Sequence, residues 1–194
     1  MIPADLLLAA YGGGWFPMAD DEGQISWYSP DPRGIIPLDG FHAPARLMRV
    51  VRRGGFRIEI NTAFETVMRA CAEAERDGEQ GTWISEEIVD SYCALHELGH
   101  AHSVEVWRGD QLAGGLYGVA LGGAFFGESM FHRETNASKV ALVALVERLR
   151  ARNFRLLDTQ WITDHLLQFG AREVPRPVYL QMLDESLRIE TAFV

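Results

Sequence analysis

The spacing of apolar side chains changes period partway along the chain, and the predicted elements follow from that change. In the first half the apolar positions recur mostly at helical intervals. Residues 43–53 predict a helix, with Leu47, Val50 and Val51 on one side and Arg46, Arg49, Arg52 and Arg53 around them. Gly54-Gly55 stops it, and residues 56–60 alternate as a strand does. A second helix is expected over 64–75, opened by Asn61 or Thr62. A third runs from Ser85, an N-cap followed by two acids, to Leu98, where Gly99 supplies the stop. From His102 the period is two. Residues 102–107, 112–121 and 124–131 predict strands, separated by the hairpin dipeptides Gly109-Asp110 and Gly122-Gly123. Thr135 or Asn136 then caps a long amphipathic helix ending near Arg152. Residues 156–161 predict a strand, 163–169 a helix closed by Gly170, 173–174 a last edge strand, and 177–187 a final helix. Residues 11–41, rich in Gly, Pro and aromatics, predict an irregular segment. A strand meander followed by helix, strand and helix is an α+β or mixed α/β domain.

Composition narrows the class. The 194 residues are 47% hydrophobic, 23% charged and 10% aromatic, which excludes a disordered or fibrous chain. The length gives enough core for one domain, or a domain with a small appendage, to fold without staples. Eighteen Lys+Arg against 27 Asp+Glu give a net charge of -9, so any nucleic-acid contact must be local. Cys71 and Cys93 make no disulfide framework, which fits a reducing cytoplasm. Residues 1–10 lack the basic start of a signal peptide, and no apolar run is long enough for a bilayer. A cytoplasmic protein with no membrane partner is the expectation.

His96-Glu97-Leu98-Gly99-His100 matches the H-E-x-x-H zinc signature. That chemistry needs both imidazoles on one helical face, with the carboxylate beside a metal-bound water. Here Gly99 ends the helix inside the motif and a strand begins at once, which swings His100 away from His96. No metal is expected at this place.

Several longer blocks come in a fixed order: Trp27-Tyr28-Ser29-Pro30-Asp31-Pro32-Arg33, Gly81-Thr82-Trp83-Ile84, and His96 through Trp107. Gly127-Glu128-Ser129-Met130-Phe131, Asn136-Ala137-Ser138-Lys139 and Asp158-Thr159-Gln160 follow. On these blocks the sequence resembles the bacterial leucyl/phenylalanyl-tRNA–protein transferase family over nearly its whole length. The resemblance implies transfer of leucine or phenylalanine, and weakly methionine, from aminoacyl-tRNA to proteins with an N-terminal Arg or Lys. That addition tags them for degradation by the N-end rule. It also implies a GNAT-like catalytic domain over 63–194, with a mixed sheet, behind an irregular N-terminal segment over 1–62 that holds the basic helix. No cofactor is implied. Gly12 and Gly13 stand where the family commonly has basic residues, and Glu79-Gln80 resembles a short insertion before Gly81.

An aminoacyl ester is already activated, so the enzyme needs alignment and a route for a proton. Asp158 and Gln160 are two apart in a predicted strand and therefore share a face. The resemblance makes them the catalytic pair: Asp158 accepts a bond from the Gln160 amide, turning its carbonyl oxygen to the incoming ammonium. Glu128 lies among Phe125, Phe126 and Met130, where a charge-assisted bond to a cation is strong. The resemblance gives it a substrate-binding role near the amine. Leu142, Leu145 and Leu149 form one helical stripe, which on composition alone is core. The resemblance places them around the aminoacyl side chain, with Leu116, Phe125, Met130 and Leu157. Such a pocket separates substrates one methylene apart by only about 1–3 kcal/mol. It likewise puts Trp27 and Trp83 near the terminal adenosine, where stacking is worth roughly 1–3 kcal/mol per base; Tyr92, on the helix after Trp83, is a further candidate for contact with the tRNA. Arg46, Arg49, Arg52, Arg53 and Arg57 form a basic run with no acid between 43 and 58, suited to phosphates. Three rivals stand beside this reading: a GNAT-like acyltransferase with another donor, a non-catalytic RNA-binding module, and a zinc hydrolase. The first calls for a pyrophosphate loop, of which residues 133–139 are a poor version.

Overall fold

The computed structural model describes residues 1–20, 22–74 and 82–194. Glu75, the Glu79-Gln80 insertion and Gly81 lie outside these residues. In chain order the elements are α1 (Ala4–Gly12), β1 (Phe16–Ala19), β2 (Ile25–Tyr28), β3 (Arg33–Ile36), α2 (Ala45–Arg53) and β4 (Arg57–Ile60). Then come α3 (Phe64–Glu73), α4 (Glu86–Glu97), β5 (Ala101–Arg108), β6 (Gln111–Leu121) and β7 (Ala124–His132). Last are α5 (Ala137–Ala151), β8 (Leu156–Gln160), α6 (Asp164–Leu167), β9 (Arg172–Val174) and α7 (Arg176–Leu187).

The fold is α+β with a mixed sheet. β1 and β2 form a hairpin of their own, and a seven-stranded sheet has the order β4-β5-β6-β7-β8-β3-β9. Its pairs are antiparallel except β7 with β8, which are parallel. One apolar layer, with Leu7, Val67, Ile88 and Tyr179, packs α1, α3, α4 and α7 on one face. The other, with Leu47, Leu142, Leu145 and Leu166, packs α2, α5 and α6 on the opposite face. No helix of the described residues is long and apolar enough to cross a membrane.

Local chemistry explains most boundaries. The Ser85 hydroxyl accepts the Ile88 N–H at 3.4 Å and caps α4, with Glu86 and Glu87 in the first turn. α4 ends at Glu97, and Gly99, at φ 81°, turns the chain into β5. The H-E-x-x-H sequence is therefore broken between helix and strand. His96 Nδ1 lies 2.8 Å from the Ala101 carbonyl, and its ring stacks on Phe64 at 4.3 Å. The start of α3 differs from expectation, because its N-cap is Ala63 rather than Asn61 or Thr62. Glu105, from β5, does the capping instead: it accepts the Ala63 N–H and the Thr62 hydroxyl, each at 3.3 Å.

The segment 11–41, expected to be irregular, carries the last residues of α1 and then β1, β2 and β3. Each of these strands has four residues, too few for alternation to show among prolines and glycines. β3 is buried at all four positions, because it lies inside the sheet between β8 and β9. The seven-stranded sheet thus takes strands from both sides of residue 62.

Two β-bulges interrupt the ladders that flank β7 and β8. Between β6 and β7, Gly118 pairs with Gly127 and Tyr117 with Ser129, which leaves Glu128 as the extra residue. Between β3 and β8, Gly34 pairs with Gln160 and Ile35 with Asp158, which leaves Thr159 extra. The first bulge shifts the phase of β7: Phe126 and Phe131, five apart, pack in the same layer. It also needs a glycine opposite, since a Cβ on Gly118 would sit 2.2 Å from the Phe126 carbonyl oxygen and 2.5 Å from Phe125 Cε1. Gly118→Ala is expected to lose about 1–3 kcal/mol, the usual cost of overpacking. Urea denaturation checks this through a lowered midpoint at unchanged slope; a wild-type midpoint would contradict it.

Candidate active site

β7 and β8 pair only from Ala124 with Leu156 to Phe126 with Asp158. Beyond that β7 runs on to His132 while β8 stops at Gln160, so the strands open into a wedge. Polar groups gather at the mouth of this wedge, on the layer that contains α1, α4 and α7.

Asp158 is fully buried and accepts four hydrogen bonds. Arg33 donates through Nε to Oδ1 at 3.0 Å and through Nη2 to Oδ2 at 2.7 Å. The Tyr179 hydroxyl donates to Oδ2 at 2.6 Å, and the Gln160 backbone N–H to Oδ1 at 2.8 Å. Arg33 is buried as well, and its Nη1 donates to the Gly14 carbonyl at 2.8 Å. Its guanidinium lies over the Phe16 ring at 4.9 Å and the Tyr179 ring at 4.5 Å. Burial works against the Arg33 cation, but Asp158 outweighs it and raises its pKa. Burial, then the Asp158 charge, push the Tyr179 phenol far above its ordinary range, so it stays a donor.

Gln160 is 6% exposed and has φ 57°, in the left-handed region that a side chain rarely adopts. The Trp161 N–H donates to the Thr159 carbonyl at 2.7 Å, closing a three-residue turn centred on Gln160. From there the Gln160 Nε2 reaches across the wedge to Glu128 Oε1 at 3.2 Å. The same oxygen accepts the Tyr11 hydroxyl at 2.8 Å, and the Tyr92 hydroxyl bonds that of Tyr11. Burial pushes the Glu128 carboxyl up to about 8, against the downward pull of Tyr11. The two phenols are raised well above their ordinary value, first by burial and then by the Glu128 charge.

Glu128, Asp158 and Gln160 therefore come together, with one difference from the sequence reading. Asp158 holds the backbone N–H of Gln160, while the Gln160 side-chain amide goes to Glu128. Leu116, Phe125, Leu142, Leu145, Leu149 and Leu157 are buried in one core cluster on the opposite face, with the half-buried Met130 against it. Phe125 and Leu157 are the next-to-last register pair before the wedge opens. Trp27, on β2, and Trp83 are half-buried, and the Trp83 carbonyl accepts the Ala19 N–H of β1 at 3.1 Å. Tyr92 differs from expectation: it is fully buried, its ring edge-on to Tyr11 and Tyr117, and so belongs to the polar cluster rather than to a surface. Arg46, Arg49, Arg52 and Arg53 are exposed on α2, whereas Arg57 is ion-paired with Glu59, just beyond the acid-free run. Sequence reasoning missed Arg33, Tyr179 and Tyr11. The buried Arg33 sits in a quoted block, but no local signal pairs it with an acid 125 positions away.

A family model described as Leucyl/phenylalanyl-tRNA protein transferase matches residues 35–184, and one for the N-terminal domain of that transferase matches residues 1–31. A leucyl/phenylalanyl-tRNA–protein transferase of Paramagnetospirillum magneticum is 56% identical over 194 residues, covering 99% of this chain and 92% of its own. Another, of Akkermansia muciniphila, is 56% identical over 185 residues, covering 94% and 95%. The solved structure of L-PGS from Bacillus licheniformis aligns over 96% of this chain and 71% of its own, with TM-score 0.50. At 10% identity that likeness concerns the fold alone.

The raised Glu128 pKa carries a testable sign. Folded, the carboxyl binds its proton up to about pH 8; unfolded, it releases it near 4.5. Between those values the folded state holds the extra proton, so this group's contribution to stability falls as pH rises. Glu128→Gln removes that term. The variant is expected to gain on wild type with increasing pH across this window, by at most about 1.4 kcal/mol per pH unit. Denaturation at a series of pH values measures it, and parallel curves would contradict it.

Proposed function

The chain belongs to the leucyl/phenylalanyl-tRNA protein transferase family, and from that premise we propose how its wedge carries out aminoacyl transfer. The protein is an aminoacyltransferase that uses aminoacyl-tRNA as donor and a protein N-terminus as acceptor. The observation that carries the proposal is the Gln160 amide meeting Glu128 across the open end of the parallel pair. With Nε2 turned to Glu128, the Gln160 carbonyl oxygen is presented to an incoming amine. The amine nitrogen attacks the ester carbonyl carbon, forming the C–N bond. The C–O bond to the terminal ribose breaks, and the amine's proton ends on that ribose oxygen. Near pH 8, where its carboxyl is half ionised, Glu128 takes the proton that the ammonium must lose before its nitrogen attacks, its pKa of about 8 lying close to that of an α-amine, ~7.7–8.0. Holding amine and ester in register supplies much of the acceleration, on the order of 7–11 kcal/mol in favourable intramolecular models.

The acceptors we propose are proteins beginning with Arg or Lys, whose new N-terminal Leu or Phe directs them to degradation. Leu116, Phe125, Met130, Leu142, Leu145, Leu149 and Leu157 form the apolar walls for the aminoacyl side chain. Their place beside the wedge supports this, through Phe125 and Leu157. Trp27 and Trp83, around the β1–β2 hairpin, hold the terminal adenosine. The exposed Arg46, Arg49, Arg52 and Arg53 of α2 take the tRNA backbone without reading its sequence. Tyr92 acts behind Tyr11 and Glu128 instead. A mixed sheet around one parallel pair supports the GNAT-like reading of the fold.

Incubation with radiolabelled leucyl-tRNA and peptides beginning with Arg, Lys, Asp or Ala tests the acceptor assignment. Label is expected on the Arg and Lys peptides only; transfer to Asp peptides alone would point to another acceptor class. Gln160→Ala is expected to slow transfer at least about a hundredfold, the lower range for losing one positioned catalytic group, while tRNA binding is kept. A wild-type rate would remove Gln160 from the mechanism. Arg49→Ala with Arg52→Ala is expected to weaken tRNA binding and to lower the slope of log affinity against log salt by roughly two phosphate contacts. Unchanged affinity would discard α2 as the tRNA contact.

A further inference from the structure

We infer that Arg33 and Tyr179 are positioning residues for Gln160, acting through Asp158, which serves as a fixed anchor and takes no proton from substrate. The inference rests on the reading of Gln160 as catalytic and adds to it the reason why that side chain stands where it does. A carboxylate offers about four acceptor sites, and all of those on Asp158 are taken by Arg33 twice, by Tyr179 and by the Gln160 N–H. It is fully buried, so nothing from solvent reaches it. A group so occupied has no lone pair for an incoming ammonium. What it does hold is a backbone.

Gln160 sits at φ 57° in a tight turn closed by Trp161 N–H and the Thr159 carbonyl. Conformations of this kind cost energy and persist only where the surroundings over-determine them. Three contacts do so here. Asp158 Oδ1 clamps the Gln160 N–H from inside the turn. The Thr159 bulge feeds the turn an extra residue opposite β3. Gly34 lets the bend press against β3, since a Cβ there would lie 2.7 Å from the Trp161 carbonyl carbon. The clamp is only as rigid as Asp158, and Asp158 is fixed by the fork of Arg33 and the hydroxyl of Tyr179. Those two side chains come from β3 and α7, and Arg33 also holds the Gly14 carbonyl after α1. The Arg33 guanidinium, packed on the rings of Phe16 and Tyr179, has no room to swing. Loosening either residue frees the turn, and the Gln160 amide then drifts from Glu128, although neither Arg33 nor Tyr179 touches substrate.

The test is a double-mutant cycle on the intact protein, read as steady-state transfer from leucyl-tRNA to an Arg peptide. Tyr179→Phe keeps the ring under Arg33 and removes one donor to Asp158, so it retains the packing that Arg33→Ala would destroy. It is expected to lower kcat about tenfold, with KM for leucyl-tRNA unchanged within about twofold. Arg33→Lys keeps the charge but not the fork, and is expected to lower kcat further. The deciding variant combines Tyr179→Phe with Gln160→Ala and is expected to be no slower than Gln160→Ala alone, because Tyr179 has nothing left to position. Losses that multiply would overturn the inference, as would a wild-type kcat for Tyr179→Phe. If Gln160→Ala itself runs at the wild-type rate, the catalytic reading falls and takes the inference with it. Multiplying losses on top of a slow Gln160→Ala would sink the inference alone.

Discussion

The buried ion pair between Arg33 and Asp158 is the constraint on which the rest of the site depends. Two charges withdrawn from water are tolerable only with near-ideal geometry and with their remaining hydrogen-bonding capacity filled. Both conditions hold: the pair is two-pronged, the third guanidinium nitrogen reaches a carbonyl, and the carboxylate takes two further donors. Removing one partner of such a pair leaves an uncompensated charge, which costs about 3–5 kcal/mol. The pair therefore fixes β3 against β8, and with them the loop after α1 and the start of α7. A segment that looks irregular in sequence thus holds one half of the buried pair at the candidate site.

Around that anchor, two departures from regular sheet create the site. Parallel pairing of β7 and β8 stops at Phe126 and Asp158, and each strand carries an extra residue near the end of the pairing. The bulge at Glu128 turns an acid out of the ladder and toward Tyr11 in a poorly solvated layer. The bulge at Thr159 and the turn at Gln160 bring an amide to meet it. Desolvation sets the Glu128 pKa high, and the neighbouring phenols, themselves held neutral by burial, steady it by donating hydrogen bonds. The apolar side chains of Phe125 and Leu157, earlier in the same strands, pack in the other layer, so the polar cluster and the apolar walls proposed for the aminoacyl side chain lie on opposite faces of the two strands.

Much of this was legible along the chain. Period and glycine stops, with the Ser85 cap at α4, located the strands from β5 to β8 and the helices α2 to α5, because those elements are long or sharply stopped by Gly54, Gly99 and Gly122, whereas the side-chain caps expected for α3 and α5 do not form. The break in the H-E-x-x-H motif followed from Gly99 alone. Glu128, Asp158 and Gln160 were marked by family resemblance, and they do meet. Their mutual geometry was not legible. A period-two reading puts residues 158 and 160 on one face, whereas the bulge at Thr159 and the positive φ of Gln160 depend on β3, more than a hundred residues away. Tyr92 reads as a tRNA-contact candidate because nothing local shows that Tyr11 and Tyr117 close over it. The strands β1 to β3 were hidden by their shortness and by Pro and Gly at turns that flank buried positions.

The most direct measurement is a crystal structure with a leucyl-adenosine in which an amide replaces the ester. Its carbonyl carbon is expected at the mouth between β7 and β8, its leucyl side chain against Phe125 and Leu157, and Gln160 still at positive φ with its amide facing Glu128. A ligand bound elsewhere, or a Gln160 that leaves its turn and points away from the ligand, would contradict this arrangement.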